Sequence, residues 1–128
     1  MVPRVYICDE NPRMRQLIEE RLDGHAVIVG TGGTAQDAIH ATSELEPDIV
    51  VLDFRTAVGR LEETVSAIKG PRPSTAVVVH TGVPRYLIED QVRSVGGVYS
   101  AKSEPEHLVR LVRSVSPASA REAASPDS

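Results

Sequence analysis

The stretch Glu46-Pro47-Asp48-Ile49-Val50-Val51-Leu52-Asp53 decides the fold. Its centre, Ile49 to Leu52, is apolar without interruption and mostly β-branched. It is too short for a helix and lacks the alternation of a strand with one wet face. Such a run marks a strand buried on both sides, as in a parallel sheet. Parallel neighbours can be joined only by a crossover, usually a helix. The flanking sequence should therefore repeat strand and helix, and the carboxylate of Asp53 should stand at a strand's end.

The flanks meet that expectation. Three further apolar runs are Val5-Tyr6-Ile7-Cys8, Ala26-Val27-Ile28-Val29 and Ala76-Val77-Val78-Val79, with a weaker one at Val98-Tyr99-Ser100-Ala101. Between them the apolar period changes to three and four. Asn11 and Pro12 are placed to cap and open a helix carrying Met14, Leu17, Ile18 and Leu22. Thr34 is placed to cap a second, with Ala35, Ala38, Ile39, Thr42 and Leu45, stopped by Pro47. Leu61, Val65 and Ile68 form a third stripe, closed by Gly70 and Pro71. Pro84 opens a fourth with Leu87, Ile88, Gln91, Val92 and Val95, ended by Gly96-Gly97; Pro105 opens the last, with Leu108, Leu111, Val112 and Val115. Five strand–helix repeats predict an α/β sheet covered by helices on both faces.

Composition narrows the function. A length of 128 residues fits one domain, and with one Phe, three Tyr and no Trp the core must be aliphatic. A net charge of −4 lacks the basic excess of a nucleic-acid grip. Cys8 is the single cysteine, which excludes an internal disulfide and a multi-cysteine metal site and suits a reducing cytoplasm. No apolar run approaches the ~20 residues of a membrane helix, and the N-terminus lacks a secretory apolar segment. We therefore expect a cytoplasmic domain over residues 1–115. From Ser114 onward the sequence turns small, polar and proline-marked, and 116–128 is expected to be a flexible tail or linker whose removal would leave the stability unchanged.

In an open parallel sheet, ligands bind beyond the carboxyl ends of the strands. Asp9 and Glu10 follow the first strand, Asp53 the third, Thr81 the fourth by way of His80, and Lys102 the fifth. Taken singly these are ordinary caps, turn residues and surface charges. Together they place three carboxylates, a hydroxyl and an ammonium on one sheet edge. Crowded carboxylates call for a cation, and hard oxygen ligands with room for water suit Mg²⁺. A carboxylate so held beside a lysine is a credible nucleophile for phosphoryl transfer.

At these residues the chain resembles the receiver domains of two-component response regulators. The resemblance is carried by Tyr6-Ile-Cys-Asp-Glu-Asn-Pro-Arg-Met-Arg15, by Glu46 to Asp53, by His80-Thr81-Gly82 and by Gly97-Val-Tyr-Ser-Ala-Lys102, and it spans roughly residues 4 to 115. It looks closest to receivers followed by a C-terminal helix-turn-helix. The resemblance implies a flavodoxin-like, doubly wound (βα)5 fold with strand order 2-1-3-4-5. It implies a signalling switch rather than an enzyme in the usual sense, limited to Mg²⁺-dependent phosphoryl acceptance and autodephosphorylation. Asp53 would be the phosphoacceptor, supplied by a sensor histidine kinase. Mg²⁺ would be bound by Glu10 and Asp53, by the backbone carbonyl of Arg55, and by Asp9 through water. Lys102 would pair with phosphoryl oxygens, while Thr81 and Tyr99 would form the switch. Its output would be transcription regulation through a DNA-binding domain outside this chain. A homodimer would form through the fourth-helix, fifth-strand and fifth-helix face or through other helices.

The sequence also departs from the family. Glu10 stands where Asp is usual, and Phe54-Arg55-Thr56-Ala57-Val58-Gly59-Arg60 replaces the usual Met-Pro and Gly; Ser103 replaces a proline after Lys102. These changes favour a rival, a pseudo-receiver acting unphosphorylated as a protein- or ligand-binding module. A second rival is a dinucleotide site, since Gly30-Thr31-Gly32-Gly33-Thr34-Ala35 matches G-x-G-x-x-A with Asp53 about 20 residues on. Arg55, two positions after Asp53, is expected to lean over the mouth of the pocket.

Overall fold

The computed structural model describes residues 2–115, so the linker expected at 116–128 lies outside the described residues. The chain alternates strand and helix: β1 (Arg4–Cys8), α1 (Pro12–Arg21), β2 (Val27–Gly32), α2 (Ala35–Leu45), β3 (Ile49–Leu52), α3 (Leu61–Lys69), β4 (Ala76–Thr81), α4 (Arg85–Ser94), β5 (Val98–Ala101) and α5 (Pro105–Ser114). All strand pairings are parallel, in the order β2-β1-β3-β4-β5. The first connection runs one way along the sheet and the later ones the other, so strand order reverses between β1 and β3, the place where a crevice opens.

The β3 run shows why continuous apolarity was needed. Val50 and Leu52 join the core beneath α2, α3 and α4, with Ala38, Val65, Ile88 and Val92. Ile49 and Val51 face the other way, into a second core with Ile18 and Leu22 of α1 and Leu108 and Val112 of α5. Both faces are therefore dry, and Leu52, with 0% exposure, is central enough that Leu52→Ala would cost about 2–5 kcal/mol.

Local signals set the helix starts. Asn11 Oδ1 accepts the Arg13 N–H at 2.9 Å, with Pro12 opening α1. At α2, Thr34 Oγ1 accepts the Asp37 N–H at 3.1 Å while Asp37 Oδ2 accepts the Thr34 N–H at 3.2 Å, a reciprocal cap. Gly96 takes a left-handed φ of 89° after α4, where a side chain would be strained.

The structure moves three sequence-based boundaries or faces. β2 continues through Gly30, Thr31 and Gly32, because β1 offers ladder partners as far as Cys8. β4 likewise continues through His80 and Thr81, paired with Ser100 and Ala101. Leu87 is 60% exposed and does not belong to the buried stripe of α4, which is Ile88 and Val92.

Candidate functional site

The carboxyl ends of β1, β3, β4 and β5 open into a cleft of ≈ 590 Å³ that Asp9, Glu10, Asp53, Arg55, Thr81 and Lys102 all line. The ladders extend to its edge: Asp9 donates its N–H to Gly32 C=O, Asp53 to Cys8 C=O and Lys102 to Thr81 C=O, at 3.0, 2.9 and 2.8 Å. These bonds fix where each side chain starts.

Two carboxylates sit deep and one ammonium lies between them. Lys102 Nζ is 2.9 Å from Asp9 Oδ2 and 3.4 Å from Asp53 Oδ1. Asp9 Oδ1 accepts the Asn11 N–H at 2.9 Å. Asp53 Oδ1 also accepts the Arg55 N–H, at 3.4 Å, so Asp53 caps the 3₁₀ turn Phe54–Ala57. That turn is the local answer to the unusual sequence after Asp53; Thr56 tightens it by donating its hydroxyl to Asp53 C=O at 2.6 Å. Burial pushes the Asp53 carboxyl above the ordinary carboxylate range, with the Asp9 charge adding to this and Lys102 opposing it. The shift is thus an effect of burial, since the Lys102 attraction outweighs the Asp9 repulsion.

Glu10 is exposed at the rim of the cleft. Among the described residues no group of three or more His, Cys, Asp or Glu side chains is gathered to hold a metal, so its carboxylate is not preassembled with the other two. A donor set of two buried carboxylates, with surplus negative charge and room for water, still fits Mg²⁺, which commonly uses only one or two carboxylates.

Thr81 is buried and its Oγ1 accepts the Val83 N–H at 3.1 Å. Tyr99 lies behind the cleft rather than in it, 5% exposed, and donates its hydroxyl to Val83 C=O at 2.6 Å. Both proposed switch residues thus hold Val83, Thr81 by its N–H and Tyr99 by its carbonyl. Sequence reasoning missed Arg85, whose guanidinium stacks 4.7 Å from the centroid of the Tyr99 ring, and the buried pair His80 Nδ1–Ser100 Oγ at 3.1 Å. No spacing rule couples a helix N-terminus to the next strand. The His80–Ser100 contact needed the β4–β5 register.

The glycine motif has a packing role. A Cβ on Gly32 would lie 2.2 Å from Tyr6 Oη and 2.7 Å from Asp37 Cβ. The α2 N-terminus, where a dinucleotide phosphate would rest, already receives Asp37 Oδ2 on the N–H groups of Gly33 and Thr34, at 3.1 and 3.2 Å. Those two bonds lower the Asp37 carboxyl, the Gly33 bond most. The dinucleotide reading loses its anion site to the chain itself.

The fold is of the receiver type. Comparisons with known proteins agree. No family model matches the chain. A protein-glutamate methylesterase/protein-glutamine glutaminase of Agrobacterium fabrum is 35% identical over 78 residues, 59% of this chain and 22% of its own length. That of Symbiobacterium thermophilum is 34% identical over 80 residues, with coverage of 59% and 22%. The chain thus spans only about a fifth of the length of these curated relatives. Among solved structures, a two-component response regulator of the LuxR family from Aurantimonas sp. SI85-9A1 superposes with a TM-score of 0.79 at 20% identity, covering 99% of this chain and 92% of that one. The response regulator domain of Thermotoga maritima CheB gives 0.72 at 20%, covering 91% and 100%. The signal receiver domain of NarL from Mycobacterium tuberculosis gives 0.77 at 21%, covering 87% and 93%. The chain has the fold of response-regulator receiver domains, with the five-stranded order expected from its sequence.

Proposed function

We propose that this domain is a phosphorylation-controlled switch in which Asp53 accepts a phosphoryl group from a sensor histidine kinase. The observation that carries the reading is the Lys102 ammonium held between the Asp9 and Asp53 carboxylates at the β1/β3 crevice. An Asp53 oxygen attacks phosphorus; a P–O bond forms as the P–N bond to the donor imidazole breaks, and the imidazole departs with that electron pair and takes up a proton. Lys102 would turn from the carboxylates to the incoming phosphoryl oxygens, and the Thr81 hydroxyl would donate to one of them. Asp9 and Asp53, with the Arg55 carbonyl and with Glu10 from the rim, are the residues to hold Mg²⁺, which when bound would neutralise charge on the transferring group.

Beyond the switch itself, this reading has the domain cytoplasmic and its output carried elsewhere, by a DNA-binding domain tethered through 116–128. No helix among the described residues is long and apolar enough to cross a membrane. The negative net charge supports leaving DNA contact to another domain. A homodimer through α4, β5 and α5 would couple the two. The test is intact mass after incubation with acetyl phosphate and Mg²⁺. One added phosphoryl group, lost in Asp53→Asn and in chelator, is expected. Equal labelling of wild type and variant would remove Asp53 from its role, and no labelling of either would favour an unphosphorylated binding module.

A further inference from the structure

We infer that Arg85 is a positioning residue that latches Tyr99 in its inward orientation; the functional consequence rests on the switch reading above. Five contacts carry the inference. Thr81 Oγ1 holds the N–H of Val83, and the Tyr99 hydroxyl holds the carbonyl of the same residue. The guanidinium of Arg85 lies over the Tyr99 ring at 4.7 Å. Arg85 is in turn fixed one helical turn on by an ion pair with Glu89, and Glu89 is shared with Arg93 Nη2 at 3.5 Å. An electrostatic ladder on the outer face of α4 therefore ends on the aromatic face of a β5 residue.

The ring has somewhere else to go. A groove of ≈ 280 Å³ lies beside it, lined by Arg85, Glu89, Arg93, Gly97, Val98, Tyr99 and His107. Swinging into that groove would break the bond to Val83 C=O and release one of the two grips on the β4–α4 loop. The cation over the ring opposes this movement. It does so from outside the cleft, so the inward state is favoured before anything binds near Asp53. Arg85 thus sets how far the free domain already rests in the orientation that occupation of the cleft would select. At a partly exposed site such stacking changes an equilibrium by a factor of about two to five.

The experiment uses the full chain carrying 3-fluorotyrosine. The three tyrosine resonances are assigned through Tyr6→Phe and Tyr86→Phe, and exposure of Tyr99 is read by solvent paramagnetic relaxation. In the absence of any phosphodonor, Arg85→Ala and Arg85→Gln should each raise the exposed population of Tyr99 about two- to five-fold. Arg85→Lys should do so less, and the Tyr6 signal should not change. Adding beryllofluoride with Mg²⁺ should return Tyr99 of Arg85→Ala toward the wild-type level. Equal shielding of Tyr99 in wild type and both neutral variants would overturn the latch. A Tyr99 exposed by Arg85→Ala but indifferent to beryllofluoride would overturn its link to the cleft. Failure of wild type to take up phosphate would sink the switch reading instead, and the donor-free measurement would still stand.

Discussion

Lys102 Nζ lies 2.9 Å from Asp9 Oδ2, although 93 residues separate the two in sequence. The contact closes the cleft between the first and last strands of the chain. Both carboxylates near this lysine are almost wholly buried, whereas its own side chain is 20% exposed. The ammonium can therefore leave more readily than the acids can, as the proposed exchange for a metal cation requires.

Removing that ammonium should be costly. Lys102→Ala leaves Asp9 and Asp53 facing each other without a counter-charge, and we expect a loss of about 3–5 kcal/mol in denaturant unfolding. Adding Asp53→Asn should recover part of it, because only one acid then remains. A recovery no larger than the gain from Asp53→Asn alone would mean that the three side chains do not act as a unit.

Asp53→Asn alone should go the other way. A folded-state carboxyl raised above its ordinary value binds its proton more readily than the unfolded chain does, so at neutral pH its ionised form opposes folding. Removing the charge should stabilise the domain and raise its Tm. Mg²⁺ should raise the Tm of the wild type and leave the variant nearly unmoved. A thermal melt of both proteins with and without Mg²⁺ checks this, and equal Mg²⁺ shifts would place the metal elsewhere.

His80 predicts an acid sensitivity unrelated to phosphate. Its imidazole is 1% exposed, and Nε2 finds no hydrogen-bond partner among the described residues. Burial first, then the charges of Lys102 and Arg21, push its pKa from 6.5 down to about 4. Between those values the unfolded chain takes a proton that the folded one refuses, so the contribution is complete above pH 6.5 and is lost as pH falls. From pH 7 to 5 the wild type should lose about 2 kcal/mol more than His80→Gln. Parallel pH profiles for the two proteins would refute this.

How much was legible in advance follows from physical range. The runs at Ile49–Leu52 and Val98–Ala101 form strands with the bounds read from sequence, because apolar continuity is a local property. The ends of β2 and β4 were not, since glycine and histidine give no strand signal of their own and join a strand where a neighbour supplies ladder partners. Leu87 fits the helical period but lies at the cleft, where no core covers it. The residues that meet at the cleft could be foreseen from strand ends. The bridging posture of Lys102 and the stack of Arg85 on Tyr99 could not, because side-chain reach across strands leaves no spacing signal.

Gly32→Ala tests the packing account of the glycine motif. The new methyl would press on Tyr6 Oη and Asp37 Cβ, and we expect a loss of about 1–3 kcal/mol. Gly30→Ala, whose nearest contacts are at 3.2 Å, should cost less. NADH should bind neither the wild type nor the variants. Full stability of Gly32→Ala would mean that β1 and α2 are looser than they look.

Arg55 is the least expected residue at the cleft and gives the last prediction. It is exposed, lines the cleft two positions after Asp53, and forms no ion pair among the described residues. Its backbone is fixed by the bond from its N–H to Asp53 Oδ1, so the start of the side chain is set while its guanidinium stays free to choose a partner. Before phosphorylation the available anions are Asp9, Glu10 and Asp53, and a guanidinium near them competes with Mg²⁺. Afterwards the phosphoryl group concentrates more charge on three oxygens than any one carboxylate carries, and the planar fork of arginine suits it. A guanidinium held there also obstructs water arriving opposite the Asp53 oxygen. The second effect should dominate once phosphate is present, because exposed carboxylate pairs contribute only ~0.2–1 kcal/mol. Arg55→Ala should therefore bind Mg²⁺ slightly more tightly and lose its phosphate several-fold faster, with Arg55→Lys between the two. The decay of phosphorylated protein after removal of acetyl phosphate measures this directly. An unchanged or longer lifetime in Arg55→Ala would show that the arginine neither holds the phosphoryl group nor shields it from water.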